Sequence, residues 1–351
     1  MLDDPEQMKI LDKSDMLGIL DKFPEQISDI VTALKELEIP ELTDFKPNKI
    51  VVLGMGGSAI GGDILSSLLE DVTIIPIITV RGYNIPTTID DGTLVFACSY
   101  SGNTEETLTA VAKAHRRRCK IIGITSGGRL EEFCNMNNLP LFNIPKGLPP
   151  RAAIAFLFFP LLMILDKSNI VQIDFDLNEL VGALEELRGT LLPEVPEEEN
   201  PGKILATKLY NGIPFIYGQS YLNIIALRWK TQLNENSKVI AMAGSFPEMN
   251  HNEIVGWSED TPEISKQFKI ILLRSPDEHP QVSKRIELTK KTFIDKTSNV
   301  FEVDAQGESK LTRMMTTLYL GDYISVYLAL LRGVDPTPVD AIEELKRQLV
   351  E

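Results

Sequence analysis

Histidine and cysteine are nearly missing from this chain of 351 residues, with three of each, and tryptophan occurs only twice. Cys98, Cys119 and Cys134 are an odd number at no metal-ligand spacing. They sit in or near apolar runs, which suits a reducing interior better than a disulfide framework and reads as core thiols. Positive charge is short as well: 35 Lys and Arg against 50 Asp and Glu leave a net charge of −15, which repels nucleic acid and anionic membrane surfaces. Long hydrophobic runs are lacking. The longest, 152–165, falls below the roughly 20 residues a bilayer needs and contains Pro160, so it is a core helix and no membrane partner is expected. The N-terminus has no basic region followed by an apolar one, so no secretory signal is expected and the location expected is cytoplasmic.

What is present is an ordinary soluble composition, 43% hydrophobic and 24% charged, in a chain long enough for two cores. Helical patterns fill the first forty residues. An apolar strand at 49–53 follows and ends in Gly54-Met55-Gly56-Gly57-Ser58. Strands at 73–80, 94–98, 120–125 and 141–144 then alternate with amphipathic helices, the rhythm of a parallel sheet covered on both faces. The segment 193–202 has proline and acid and no apolar period, and reads as a linker. Beyond it the rhythm restarts at Pro214 and continues with strands at 238–241, 268–273 and 299–303, a long helix at about 311–331 and a short one near 339–349. Strand, glycine, serine and helix recur in both halves, which suggests a duplicated α/β unit: domains at 1–192 and 203–351.

The most telling stretch is Ser99-Tyr100-Ser101-Gly102-Asn103-Thr104-Glu105-Glu106, where a buried strand turns into a helix. Asn103 and Glu106 have the spacing of a capping box. Unpartnered first-turn amides and the helix dipole favour an anion there, and Ser99, Ser101 and Thr104 add hydroxyl donors. The same residues also suit an ordinary capped turn. Gly54-x-Gly56-x-x-Ala59 fits the relaxed dinucleotide fingerprint, but the second strand ends at Val80-Arg81 without the acid that would take the ribose hydroxyls. Its glycines either let Gly57 and Ser58 touch a sugar phosphate or permit close helix–strand packing.

Three charges fall at the disfavoured ends of helices. Arg151 and Lys310 open helices where the dipole is already positive, and Ser309 is the expected cap of the second. Glu235 closes a helix where a carboxylate meets the negative pole, a placement that favours proton uptake. Each alone reads equally as a solvated charge; together they point to one anionic substrate. Of the histidines, His115 opens a basic run at a helix end and His279 lies in an exposed turn. His251 stands in Asn250-His251-Asn252-Glu253, flanked by amides that could orient an imidazole for proton transfer.

Together these pieces resemble the sugar-isomerase (SIS) domain proteins, and specifically the bifunctional phosphoglucose/phosphomannose isomerase family. The stretches that carry the resemblance are Gly54–Ser58, Ser99–Glu106, Pro149-Pro150-Arg151, Asn234-Glu235-Asn236-Ser237-Lys238, Asn250–Glu253 and the region of Lys310. The resemblance implies an α/β fold of two SIS-type domains, each a mainly parallel sheet flanked by helices, in a homodimer. It implies a sugar-6-phosphate held by Ser99, Ser101 and Thr104 with Gly57 and Ser58 nearby. Glu235 would move a proton between C1 and C2, Arg151 would stabilise the enediolate, and His251, donated across the dimer, would assist ring opening with Lys310. An aldose–ketose isomerase of this kind needs a base, a cation for the oxyanion and an acid for the ring oxygen, with no cofactor and no metal. The competing readings are a non-catalytic sugar-phosphate sensor on the same fold and an NAD-binding oxidoreductase.

Overall fold

The computed structural model describes residues 1–36, 39 and 42–349; of the forty residues expected to be helical, 37, 38 and 40 lie outside that set. The chain forms two compact units, Lys22–Leu177 and Met1–Asp21 together with Asn178–Glu351.

The first unit is built on five parallel strands: β1 (Lys49–Leu53), β2 (Ile77–Val80), β3 (Thr93–Cys98), β4 (Lys120–Thr125) and β5 (Leu141–Asn143). Their order is β2-β1-β3-β4-β5, with Val52 opposite Phe96 and Leu53 opposite Ala97 in the central pair. The central strands are apolar without alternation because helices cover both faces. On one face Val51, Leu53, Val95 and Ala97 pack with Val111 and Ala114 of helix Glu105–Arg116 and Leu130 and Cys134 of helix Gly128–Met136. On the other lie helix Gly57–Leu69, the apolar helix Ile154–Lys167 and helix Phe23–Leu34. A Cβ on Gly62 would stand 2.7 Å from the Val52 side chain, so the glycine lets the helix lie close on β1. The second strand is shorter than the expected 73–80.

The second unit carries β6 (Ile213–Gln219), β7 (Met242–Phe246), β8 (Phe268–Arg274) and β9 (Val300–Asp304), all parallel, in the order β7-β6-β8-β9. Phe215, Tyr217, Ile270 and Leu272 face one way with Phe246, Met249, Trp257 and Phe293. Helix Leu222–Glu235 packs on β6 and β7, and helix Lys310–Leu331 packs on it in turn. Lys310–Leu331 is long and apolar enough to cross a membrane, but 89% of its apolar window is buried inside the protein, which makes it the core helix of this unit.

Two expectations are corrected here. The segment 193–202 does not separate the two units but lies inside the second. Asn200, fully buried, accepts from Lys203 N at 3.0 Å, and the buried Lys203 ammonium donates to the carbonyls of Pro193 and Val195 at 2.8 and 2.6 Å. Asn200 and the neighbouring Lys203 are thus buried against the segment's own backbone, while Glu194, Pro196, Glu198 and Glu199 stay exposed. No strand forms at 238–241. Lys238 takes a left-handed conformation, φ 56°, and its ammonium donates to the carbonyls of Glu235, Asn236 and Pro336, closing helix Leu222–Glu235 before β7 begins at Met242.

Candidate active site

In an open parallel sheet the ligand crevice lies beyond the strand C-termini where the order reverses. In the first unit that point falls between β1 and β3, and the two loops leaving these strands carry Gly57-Ser58 and Ser99–Thr104. The loops are tied together: the Ser58 hydroxyl accepts from Tyr100 N at 3.1 Å, and the Ser99 hydroxyl donates to Thr104 Oγ1 at 3.0 Å. Ser58 and Ser99 are buried, Thr104 is half-buried and Ser101 is exposed. Gly102 turns the chain with φ 70°, and a Cβ there would stand 1.7 Å from Gly127 O.

The expected capping box does not form. Helix Glu105–Arg116 starts one residue later than that pattern requires, with Thr104 at its cap and no side-chain cap. Asn103 instead accepts from Arg129 N at 3.2 Å and donates to Ser101 O at 3.1 Å. Helix Gly57–Leu69 likewise opens behind Gly56, φ 51°, without a side-chain cap. Two helix N-termini thus open at one crevice, uncapped by side chains and lined by hydroxyls, which is an anion cradle.

Arg151 belongs to the same unit and is not a solvated charge. It is 4% exposed and lies in the 3-10 turn Pro150–Ala152 that precedes helix Ile154–Lys167. A Cβ on Gly57 would stand 2.9 Å from Pro150 O and 3.1 Å from Arg151 Cα. The glycine is therefore required by close backbone approach, and that approach sets Arg151 beside the opening of helix Gly57–Leu69. At the end of β2, where a dinucleotide site would present an acid to the ribose, stands Arg81, which donates to Asp63 Oδ1 at 3.2 Å.

In the second unit Glu235 is the last residue of helix Leu222–Glu235 and is half-buried. His251 ends the 3-10 turn Glu248–His251 after β7 and is exposed. Its segment is fixed on either side: Asn250 Nδ2 donates to Thr289 Oγ1 at 2.7 Å, Tyr217 OH donates to Glu253 Oε2 at 2.7 Å, and Trp257 Nε1 donates to Tyr217 OH at 2.9 Å. Lys310 opens helix Lys310–Leu331 behind the Ser309 cap, which accepts from Thr312 N.

The structure does not bring these three side chains of one chain together. The Lys310 ammonium stands 5.6 Å from the ring centroid of Tyr221, the residue before helix Leu222–Glu235. Glu235 closes that 14-residue helix, about 20 Å farther along at 1.5 Å per residue. The charges at the two helix ends therefore lie toward opposite ends of the strands, and Lys310 stands far from its own chain's Glu235. Its surroundings are already filled: Tyr221 OH donates to Asp277 Oδ1 at 2.7 Å, and Arg313 donates to Tyr221 OH and Asp277 Oδ2. His251 follows the C-terminal end of β7, whereas Glu235 lies toward its beginning and on the helix covering the other face. At the Glu235 end the neighbours are Lys238 and the turn at Pro336, from which the chain enters helix Asp340–Gln348 with Lys346 in its last turn.

Residues 45–134 match the SIS domain, and residues 198–349 match the bacterial phospho-glucose isomerase C-terminal SIS domain. The bifunctional phosphoglucose/phosphomannose isomerase of Caldicellulosiruptor bescii is 43% identical, over 94% of this chain and 97% of the relative. This chain belongs to the bifunctional phosphoglucose/phosphomannose isomerase family. The enzyme of that name from Thermoplasma volcanium is 39% identical over 87% of this chain and 92% of its own. Among solved structures, a hypothetical protein of Thermus thermophilus shares the fold with a TM-score of 0.74 at 17% identity, covering 99% of this chain and 94% of that one. A glucose-6-phosphate isomerase like protein of the same organism gives 0.65 at 22% identity, over 96% and 98%.

For a member of the phosphoglucose/phosphomannose isomerase family, sequence reasoning found the hydroxyl-lined crevice and missed the groups that hold the second unit's residues in place. Tyr217, which bonds the already noted Glu253 near His251, and Arg228, Gln232 and Asp322, which bond one another along the helix that ends in Glu235, carry polar groups within apolar periods. That mismatch between residue type and periodic position is the signal that could have found them.

Proposed function

We propose that this chain is an aldose–ketose isomerase that interconverts glucose-6-phosphate, and its C2 epimer mannose-6-phosphate, with fructose-6-phosphate. The observation that carries this reading is the crevice at the β1/β3 reversal, two uncapped helix N-termini with serine and threonine hydroxyls, in a chain of this family. Ser99, Ser101 and Thr104 hold the phosphate, with Gly57 and Ser58 beside it. Arg151, buried next to the same crevice, meets the negative charge that develops on the enediolate oxygen. Glu235 takes the proton from one carbon and returns it to its neighbour. His251 protonates the ring oxygen on opening, and its position relative to Glu235 fits donation from the second chain of a homodimer. Lys310 takes no part alongside its own chain's Glu235. The reaction moves a proton and an electron pair between adjacent carbons without net oxidation, so it calls for neither a redox cofactor nor a metal, and the enzyme acts in the cytoplasm.

The test is a coupled assay run separately with glucose-6-phosphate and mannose-6-phosphate, with and without chelator, on the wild type and on E235Q. Both sugars should turn over in the wild type regardless of chelator. E235Q should lose about 10²-fold or more in kcat, the usual worth of a positioned general base, and still bind fructose-6-phosphate. Undiminished turnover by E235Q would remove the assignment of the base.

A further inference from the structure

Helix Lys310–Leu331 is almost entirely buried and mostly apolar, yet it carries a carboxylate in its middle. Asp322 is 2% exposed, and both of its oxygens are engaged by one neighbouring helix. Arg228 Nη2 donates to Oδ2 at 2.6 Å, and Gln232 Nε2 donates to Oδ1 at 2.9 Å. Arg228 and Gln232 are themselves 1% and 2% exposed. One turn on, Asn236 Nδ2 donates to Ser325 Oγ at 2.9 Å, and the Ser237 hydroxyl donates to Ser325 O at 2.5 Å. Residues 228, 232 and 236 repeat every four positions and form one stripe. The stripe ends beside Glu235, whose side chain leaves the helix about 100° from that of Asn236.

Stability does not require this arrangement. A buried ion pair recovers little beyond its desolvation cost, and well-packed apolar residues of similar volume often replace it at no loss or with a gain. What hydrogen bonds supply and apolar packing does not is one rotational setting of one helix against another, because a small rotation breaks them. A displacement of about 1 Å at a reacting group is enough to cost on the order of 10²-fold in rate.

We propose that Asp322 is a positioning residue for Glu235: through Arg228 and Gln232, with Ser325 holding Asn236, it fixes the rotation of helix Leu222–Glu235 and thereby the direction of the Glu235 carboxylate. This rests on the reading of Glu235 as the base. The group that exchanges the proton remains Glu235; Asp322 is enclosed within the unit and acts only through the helix.

The experiment uses the full-length chain in two variants. R228M/D322L replaces the ion pair with apolar side chains of similar reach, and S325A removes the acceptor of Asn236 together with the bond that the same hydroxyl donates to Asp322 O. Each is measured by thermal unfolding and by isomerase kinetics, normalised to folded protein. The expected result for R228M/D322L is a Tm within a few degrees of the wild type, the apolar replacement of the ion pair being offset by the Gln232 amide left without its acceptor, a kcat lowered about 10- to 100-fold and a KM for fructose-6-phosphate within about twofold. S325A should lower kcat about three- to tenfold with KM likewise unchanged, and it decides the matter should the double variant fail to fold. A purely structural role would lower Tm and leave kcat per folded chain at the wild-type value in both, and that outcome overturns the proposal. E235Q in parallel separates the two claims. If E235Q keeps its turnover, the base assignment has failed and Asp322 has nothing to position. If E235Q is inactive while S325A and R228M/D322L turn over at the wild-type rate, only the positioning role has failed.

Discussion

At the scale of single residues, burial decides which of the chain's few reactive groups can react. Cys98, Cys119 and Cys134 are free and buried. Burial pushes the Cys98 thiol up to about 12 and the Cys119 and Cys134 thiols up to about 11. Because the thiolate is the reactive form, at pH 8 all three thiols stay protonated, whereas about one in four of ordinary thiols is ionised. A thiol-specific disulfide reagent at pH 8 should therefore titrate almost none of the three in the native protein and all three once it is unfolded in denaturant. Rapid native labelling of any one of them would contradict the core assignment. The cysteines were legible because each lies in or near an apolar run, Cys98 at the end of Leu94–Ala97 and Cys119 just before Ile121-Ile122. Arg151 was only half legible: its place ahead of an apolar helix could be read, but its burial depends on Gly57 admitting the Pro150–Ala152 turn, a contact between residues far apart in the chain.

At the scale of elements, the strands that are buried on both faces were the easiest to read, since β1, β3 and β4 are unbroken apolar runs between glycine and polar punctuation. The failures fall where a short-range pattern meets a longer-range partner. The spacing of Asn103 and Glu106 suggests a cap, but the amide is drawn to Arg129 across the sheet edge. The stretch after Lys238 has strand composition, but three carbonyls hold the lysine in a turn. The packing of helix Leu222–Glu235 on helix Lys310–Leu331 was likewise invisible, because it depends on a glycine inside a helix. A Cβ on Gly321 would stand 2.1 Å from Trp229 Nε1, the atom that donates to Thr317 O at 2.8 Å. Gly321→Ala gains helix propensity worth roughly 1 kcal/mol and loses more through overpacking, about 1–3 kcal/mol, together with a displaced buried hydrogen bond worth about 1 kcal/mol. The variant should be less stable despite its better helix former, with a Tm several degrees below the wild type by calorimetry. An unchanged or raised Tm would show that Trp229 can move aside without cost.

At the scale of the whole molecule, the family, the alternation of strand and helix and the hydroxyl-lined anchor could all be read from the sequence, but strand order could not. Order decides function here: the reversal between β1 and β3 makes a crevice of the Gly57-Ser58 and Ser99–Thr104 loops. The sense of the β6-to-β7 crossover sends Glu235 away from His251. A crossover helix runs antiparallel to its strands, so Glu235, at the end of helix Leu222–Glu235, lies toward the start of β7, while His251 follows the end of that strand. On the roles proposed for them, Glu235 and His251 would serve one hexose from these positions as residues of two different chains. That arrangement predicts subunit complementation. E235Q and H251A homodimers should each be nearly inactive. In a dimer of one E235Q and one H251A chain, the first contributes an intact His251 and the second an intact Glu235, so one of its two sites is complete. Unfolding the two variants together in equal amounts and refolding them gives about half mixed dimers, so activity should rise to about a quarter of the wild-type value by this counting, for subunits that assemble at random. Each variant refolded alone should show no such rise. If the co-refolded mixture stays as inactive as its components while size measurements show dimers, then Glu235 and His251 act from the same chain and the two-chain site is wrong.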